Sequence, residues 1–463
     1  MSDANYDFGL IGLGTMGHAL LLNMLDNGNT VVGYNRTPSK AAEIEALSES
    51  RLKVYSDLEA FVKSIRKPRA IMLLVTAGKA VDDVIAGMLP YLEPDDFIID
   101  GGNSHFRDTD RRIGYMTEKG FGFMGMGVSG GEDGARFGPS MMPGGTPAQY
   151  DRVGKVFESV AAKVDGVPCV ALMGNGSAGH YVKMVHNGIE YGIMQAIAEV
   201  YDVLRRGAGK DMPYAANLFH TWNQGELASF LIEITATVLK KEDELAEGWL
   251  VDKISDKARA KGTGKWTSQD AMDLGIPVPA IDAAVSAREL SESKPLRQQA
   301  EAIYGSAGTL EVSDQDLHDA LLATMLLSYA MGLTQIRAAS AEYGYESNLE
   351  TVATVWRAGC IIRSVQLEPI RAAFAKNPDL ASLLLDDAYA AKLKGCIDGL
   401  RNVVASAQKA GIPVPVLSAS LAYFDGIRSG RLPANVIQAQ RDYFGAHTYE
   451  RLDQEGSFHS KWA

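Results

Sequence analysis

A glycine fingerprint set between a strand and a helix constrains this chain more than any other feature. Gly12-Leu13-Gly14-Thr15-Met16-Gly17 follows the apolar run Phe8-Gly9-Leu10-Ile11 and opens a helical pattern. Gly12 permits a tight turn, Gly14 lets backbone approach a pyrophosphate, and Gly17 allows close packing of helix on strand. The helix N-terminus then faces phosphate charge. A second apolar run, 30–34, ends at the spacing a dinucleotide-binding unit requires. It is followed by Asn35-Arg36-Thr37. An acidic residue there would bond the ribose 2′-hydroxyl and repel a 2′-phosphate. An arginine with a neighbouring hydroxyl can hold that phosphate instead. The expected cofactor is therefore NADP rather than NAD.

Further strand-like runs at 70–75, 97–100, 122–130 and 167–174 alternate with helical stretches. This alternation predicts a parallel sheet covered on both faces. From about Ser177 the strand signals fade, and long amphipathic patterns take over at 178–206, 226–247 and 316–342. The expected architecture is an α/β Rossmann-type domain over 1–177, a large all-helical domain over 178–434, and a C-terminal tail over 435–463. Two short echoes, GIMQ with GLTQ and Trp222-x-x-Gly225 with Trp356-x-x-Gly359, fit either an old duplication or chance. The last stretch reads as extended. Its Tyr443, Phe444, Tyr449, Phe458 and Trp462 argue that it docks on something.

Composition narrows the function classes. A formal net charge of −12 argues against nucleic-acid binding through the overall field. No uninterrupted apolar run reaches the length of a membrane span. The N-terminus enters a strand without a leader pattern, and the 3 cysteines are odd in number and widely spaced. Free thiols in the cytoplasm are the expectation. No Cys/His or carboxylate cluster has metal-site spacing, so no metal is expected.

The segment 180–191 is the richest in chemistry. Lys183, His186, Asn187, Glu190 and Tyr191 fall on one helix face, while Val182, Val185, Ile189 and Ile193 line another. His, Asn and Tyr are poor helix formers and odd choices for a merely solvated face. Gly188 inside the pattern implies close approach by another element. Elsewhere, Ser129-Gly130-Gly131 follows a strand and can present backbone N–H groups to an anion. Asp100-Gly101-Gly102-Asn103-Ser104 ends another strand, at the sheet edge where ligands bind. Lys261 and Thr263 sit in a glycine-rich loop suited to phosphate. By themselves Arg288, Arg441 and His447 are unremarkable charges.

Taken together, the strings GLGTMG, NRT, DGGNS, GVSGGEDGARFGPSMMPGG, KMVHNGIEYGIMQ, KGTGKWTSQDAMDLGIPVPAI and QRDYFGAHTYER resemble the 6-phosphogluconate dehydrogenase family, within the wider 3-hydroxyacid dehydrogenase group. The resemblance covers nearly the whole chain. It implies metal-independent oxidative decarboxylation of 6-phospho-D-gluconate, with Lys183 as general base and Glu190 as general acid. It implies that Ser129, Gly130 and Gly131 hold the substrate carboxylate, and that Asn103, His186 and Asn187 bind its hydroxyls. Tyr191, Lys261, Thr263 and Arg288 would hold its phosphate. Val75, Thr76, Ala77 and Asn103 would flank the cofactor. Arg441 and His447 match positions donated by a second subunit's tail, which implies a homodimer.

Three positions depart from the family pattern. Gly14 and Ala19 stand where Ala and Asn are usual, and Thr76 stands where Lys is common, which removes one cation near the adenosine end. Two other functions fit parts of the sequence. A non-decarboxylating 3-hydroxyacid dehydrogenase would not need the Lys261/Thr263 loop or the tail residues. A non-catalytic NADP-binding sensor would need neither Lys183 nor Glu190.

Overall fold

The strand signals of the first third assemble one twisted sheet: β1 (Phe8–Ile11), β2 (Val31–Tyr34), β3 (Lys53–Tyr55), β4 (Ala70–Leu73), β5 (Phe97–Asp100), β6 (Gly122–Ser129) and β7 (Ser140–Gly144). These come from a computed structural model that describes residues 5–48, 51–260 and 262–462. The strand order is β3-β2-β1-β4-β5-β6-β7. All neighbours pair in parallel except β6 and β7, which are antiparallel. Helices cover both faces, and separate apolar clusters fill the two sides. The chain reverses its direction of build-up between β1 and β4. A crevice therefore opens at the C-terminal ends of these strands, where such sheets bind ligands.

Two expectations change here. The run 167–174 does not join the sheet. Val167–Pro168 pairs only with Lys163–Val164 in a small hairpin. The following residues run beside β7, with a bridge from Met141 to Val170 and a hydrogen bond from Met173 N to the Pro143 carbonyl at 2.8 Å. Two strands went unforeseen. β3 is only three residues long, and β7 carries a proline and a glycine that weaken a strand signal.

The rest is helical. Ala178–Asp202 runs for 25 residues and passes into a short π-turn at Val203–Gly207. Asp314–Tyr343 runs for 30 residues through the centre of the core, packed against Ala178–Asp202 and Asp387–Ala410. It is long and apolar enough to cross a membrane, with mean hydropathy 1.2, which inspection for an unbroken apolar run missed. Yet 89% of that apolar window is buried inside the protein. The expected helix over 226–247 forms only as Phe230–Val238.

The two longest helices cross at small residues. A β-carbon on Gly332 would stand 2.5 Å from Ile189 Cδ1, and one on Gly192 would stand 3.2 Å from Ser328 Oγ. Downstream of each crossing, Ser229 and Ser364 meet in an antiparallel bridge. The pentapeptide Gly-Ile-Pro-Val-Pro occurs at 275–279 and again at 411–415. Each copy separates two helices: Thr263–Asp273 from Pro279–Glu292, and Asp387–Ala410 from Pro415–Ile427.

The C-terminal segment is not extended. Ala434–Gly445 forms a helix, and Tyr449–Glu450 pairs with Ser457–Phe458. Buried Asp442 organises the segment. It accepts hydrogen bonds from Thr448 N at 3.0 Å, Ser460 N at 3.1 Å and Trp462 Nε1 at 2.8 Å, and lies 2.9 Å from His459 Nδ1. Val436, Ile437, Tyr443, Phe444 and Leu452 remain exposed, an apolar surface larger than a free segment would keep.

Candidate active site between the sheet and the long helix

The fold itself requires glycine at two of the three fingerprint positions. Gly12 has φ +100°, and a β-carbon there would stand 2.4 Å from the Leu74 carbonyl oxygen. At Gly17 a β-carbon would stand 2.1 Å from the Gly12 carbonyl oxygen. At Gly14 it would meet nothing within 4 Å, so the protein fold itself does not require glycine there. Gly14 precedes the Thr15–Asp26 helix without a side-chain cap. The first-turn N–H groups are thus left to an incoming anion.

The fingerprint forms one wall of a cleft of about 850 Å³. Leu13, Asn35, Arg36, Thr37, Val75 and Thr76 line it, together with Lys40. Thr15, Met16 and Ala77 adjoin these residues in the chain. Asn35 Oδ1 accepts the Thr37 backbone N–H at 3.0 Å, which turns the chain after β2 and presents Arg36 outward. An uncapped helix start, a left-handed glycine and an exposed arginine at the end of β2 fit a dinucleotide bearing an extra phosphate.

The long helix starts against bare backbone. A β-carbon on Gly179 would stand 2.3 Å from the Met142 carbonyl oxygen, and one on Gly144 would stand 2.2 Å from Gly179 N. One on Gly127 would stand 2.3 Å from Lys183 Cβ. This glycine seam brings Lys183 to the end of β6. Its Nζ donates to Ser129 Oγ at 3.0 Å and lies 3.4 Å from His186 Nδ1. His186 Nε2 lies 3.3 Å from Ser129 Oγ, and its Nδ1 lies 3.1 Å from Asn187 Oδ1. One tautomer satisfies the Asn187 and Ser129 contacts: Nδ1–H donates to Asn187, and Nε2 accepts the Ser129 hydroxyl.

The electrostatics suit proton transfer. Burial pushes the Lys183 amine below its ordinary value, against opposing pulls from Glu190 and Cys360. Burial pushes the Glu190 carboxyl up, against Lys183 and Arg288. Burial, then the Lys183 charge, hold His186 well below the usual imidazole value. Burial thereby shifts the amine towards its neutral form and the carboxyl towards its protonated form, two turns apart on one helix face.

A second cluster lies further along the helix. The Arg288 guanidinium sits 3.4 Å over the Tyr191 ring. A β-carbon on Gly264, next to Thr263, would stand 2.5 Å from the same ring. Gly188 meets the approach its presence implied: Thr267 fills the space, and its hydroxyl donates to the Met184 carbonyl at 2.8 Å. Gly130 is left-handed at φ +113°, with the Gly359 carbonyl where a side chain would go; Gly131 has open space. Asn103 is exposed on the loop after β5. Lys261 lies outside the described residues. Arg441 and His447 are exposed on the C-terminal segment, where Arg441 donates to Gln438 at 3.0 Å and His447 lies against Phe444.

Two neighbours escaped the sequence reading. The Trp356 ring meets His186 edge-on at 5.8 Å, and the buried Cys360 thiol is close enough to Lys183 for their charges to interact. The Trp356-x-x-Gly359 echo pointed to this turn, but its spacing says nothing about which strand it closes on.

Fold and cleft define a dinucleotide-dependent oxidoreductase, and Lys183 lies buried at the end of β6. Comparison with known proteins makes this specific. The NAD-binding domain of 6-phosphogluconate dehydrogenase matches residues 7–174, and the C-terminal domain of 6-phosphogluconate dehydrogenase matches 179–462. A decarboxylating 6-phosphogluconate dehydrogenase of Lactococcus lactis is 49% identical, covering 100% of this chain and 99% of that protein. An NADP(+)-dependent, decarboxylating relative from Bacillus subtilis is 46% identical, covering 98% of each. The solved 6-phosphogluconate dehydrogenase of Plasmodium falciparum, studied in apo form and with NADP+ and 6-phosphogluconate, superposes with TM-score 0.95 at 43% identity. It covers 98% of this chain and 100% of that one. The chain belongs to the 6-phosphogluconate dehydrogenase family.

Proposed function

We propose that the chain catalyses NADP-dependent oxidative decarboxylation of 6-phospho-D-gluconate to D-ribulose 5-phosphate, CO2 and NADPH. One observation carries the site assignment: Lys183 is a buried amine 3.0 Å from Ser129, on the same helix as the half-buried carboxyl of Glu190. The relatives' names as decarboxylating dehydrogenases support the reaction.

NADP held in the cleft supplies a hydride acceptor for substrate C3. Arg36 and Thr37 hold its 2′-phosphate, and the Gly12–Gly17 turn holds its pyrophosphate. Lys183, kept neutral by burial, takes the proton of the C3 hydroxyl as hydride leaves. The resulting ketone is β to a carboxylate and is itself an electron sink. The bond to the carboxylate breaks, and its electron pair moves towards the C3 oxygen, where protonated Lys183 stabilises the charge. Glu190, kept protonated by burial, delivers a proton to C1 of the enediol.

Ser129, Gly130 and Gly131 position the carboxylate that leaves. Asn103, His186 and Asn187 bind hydroxyls, and Tyr191, Lys261, Thr263 and Arg288 hold the phosphate. Arg441 and His447 serve a second copy's site, which makes the working unit a homodimer; the exposed apolar face of the C-terminal segment supports this. The same proposal treats 1–177, 178–434 and 435–463 as dinucleotide-binding domain, helical domain with an internal duplication, and docking tail. It places the protein in the cytoplasm, supported by three buried free thiols, although a Spinacia oleracea relative is chloroplastic.

The test follows NADPH absorbance and CO2 release with 6-phosphogluconate, with and without chelator. Both products should form at equal rates, unaffected by chelator. NADPH without CO2 would favour a plain 3-hydroxyacid dehydrogenase. Tight NADPH binding without turnover on any sugar acid would favour a sensor.

A further inference from the structure

The loop that carries Asn103 and the helix that carries Lys183 meet at a buried side chain that the reaction scheme does not use. His180 lies one turn ahead of Lys183 and is 1% exposed. Its Nδ1 stands 2.7 Å from Thr109 Oγ1. Thr109 belongs to the Phe106–Glu118 helix, which follows the 100–104 loop directly. Strand β6 makes room for the ring: a β-carbon on Gly125 would stand 2.6 Å from His180 Nδ1 and 2.6 Å from Thr109 Cγ2. The other ring nitrogen, Nε2, is buried, and the ring lies within hydrogen-bonding reach of the Asp100 and Gly102 backbone.

The same loop is pinned from its far side. The fully buried Asp100 accepts from Gly102 N at 3.0 Å, Ser104 Oγ at 2.6 Å and Arg112 Nη1 at 3.4 Å. Arg112 reaches on to Asp82 Oδ1 at 2.8 Å and to the Gly78 carbonyl at 3.0 Å, just beyond Thr76 on the cofactor cleft. Cofactor-side segment and Asn103 loop are fastened together, and His180 is where the helix of the base joins them.

We infer that His180 is a positioning residue, which sets the Asn103 loop against the Lys183 helix through its Nε2. The Thr109 hydroxyl lies closer to Nδ1 than to the His105 carbonyl at 3.4 Å, and donates to the ring. Nε2 then carries the proton and points it at the loop backbone. Burial keeps the ring neutral, as this arrangement needs. The inference rests on the reading of Lys183 as base and Asn103 as a ligand residue.

The two ring nitrogens can be separated by substitution. Asparagine places an amide nitrogen near the position of Nδ1, and glutamine near that of Nε2. The experiment measures kcat, KM for 6-phosphogluconate and thermal midpoint for wild type, His180→Gln, His180→Asn, Asn103→Ala and the His180→Asn/Asn103→Ala double variant. His180→Gln should keep kcat within about 3-fold, while His180→Asn and Asn103→Ala each lose about 10-fold. The double variant should lose no more than the larger single loss, because both act on one loop. Equal behaviour of the Gln and Asn variants, or losses that multiply in the double variant, overturns the inference. Where His180→Asn does not yield folded protein, the Thr109→Val/Asn103→Ala cycle decides by the same criterion. A wild-type protein that reduces no NADP with 6-phosphogluconate overturns the parent reading and this one with it. An active wild type with indifferent variants overturns this one alone.

Discussion

Gly127 and Lys183 occupy one space: a β-carbon on the glycine would stand 2.3 Å from the lysine Cβ and 2.7 Å from its Cγ. The strand can only reach the helix if it brings no side chain. Gly127→Ala should therefore displace the base and lower kcat by about 100-fold, in line with misplacement of a catalytic group. NADPH binding, followed by fluorescence, should change little, because the cleft lies along other strands.

Lys183→Met should lower kcat by at least about 1,000-fold, within the range for loss of a positioned base. The wild-type profile of kcat/KM against pH should be bell-shaped. Its acid limb reports Lys183, which must lose a proton to act and does so below its ordinary value because it is buried. Its alkaline limb reports Glu190, which must keep a proton and does so above its ordinary value for the same reason. Glu190→Gln should remove the alkaline limb and retain the acid one. A profile with both limbs intact in that variant would reassign the acid.

Arg36 is the exposed cation at the end of β2. Arg36→Leu should raise KM for NADP about 10-fold or more and leave KM for NAD nearly unchanged, since the lost contact is to a phosphate that NAD lacks. Thr76→Lys should shift preference the other way. Equal effects on both cofactors would place the 2′-phosphate elsewhere.

Glu199 offers a test of stability alone. Its buried carboxyl accepts the Val416 and Leu417 backbone N–H groups, both at 2.9 Å, at the start of the Pro415–Ile427 helix. Burial nonetheless raises its pKa from 4.5 to about 7. A carboxyl raised on folding binds more protons folded than unfolded between those values. Its contribution is complete below the unfolded pKa and is lost as pH rises through the folded one, by about 3 kcal/mol in all. Glu199→Gln should flatten this fall between pH 4.5 and 7 in denaturant titrations. An unchanged slope would reject the assignment.

Arg441→Ala and Lys183→Met variants provide a test in trans. Each alone should be nearly inactive if the C-terminal segment completes a neighbouring site. Mixed after dissociation and reassembly, they should regain about one quarter of wild-type activity, from the fraction of sites with both residues intact. Two inactive variants that recover nothing on mixing would place Arg441 in its own chain's site, and an active Arg441→Ala variant would place it outside the reaction.

The strands with apolar runs were readable because burial on both faces leaves an unbroken hydrophobic stretch, as in Ile71 and Ile98. The Lys183–Tyr191 face was readable because its residue types are wrong for a wet surface. Gly188 foretold Thr267 in kind but not in identity, since a glycine reports closeness and not the neighbour. β3 and β7 escaped because three residues, or a strand with proline and glycine, give too weak a pattern. The C-terminal helix escaped because its organiser, Asp442, works through partners up to twenty residues away. The Gly-Ile-Pro-Val-Pro pair is a longer repeat than either short echo and is legible in the sequence alone. Gly14 differs: the fold leaves open space around it, and its reason in the fingerprint is the approach of a pyrophosphate.

The glycine seam where the long helix meets β6 and β7 has a mechanical meaning. Main chain rests on main chain there, with no side chains to slide or re-pack, so the joint has no slack and makes a poor hinge. The amine's place relative to the sheet is settled when the protein folds, well before any sugar arrives. Whatever gating the catalytic cycle involves must come from outside this joint, with helix and sheet holding still like the jaws of a fixed gauge.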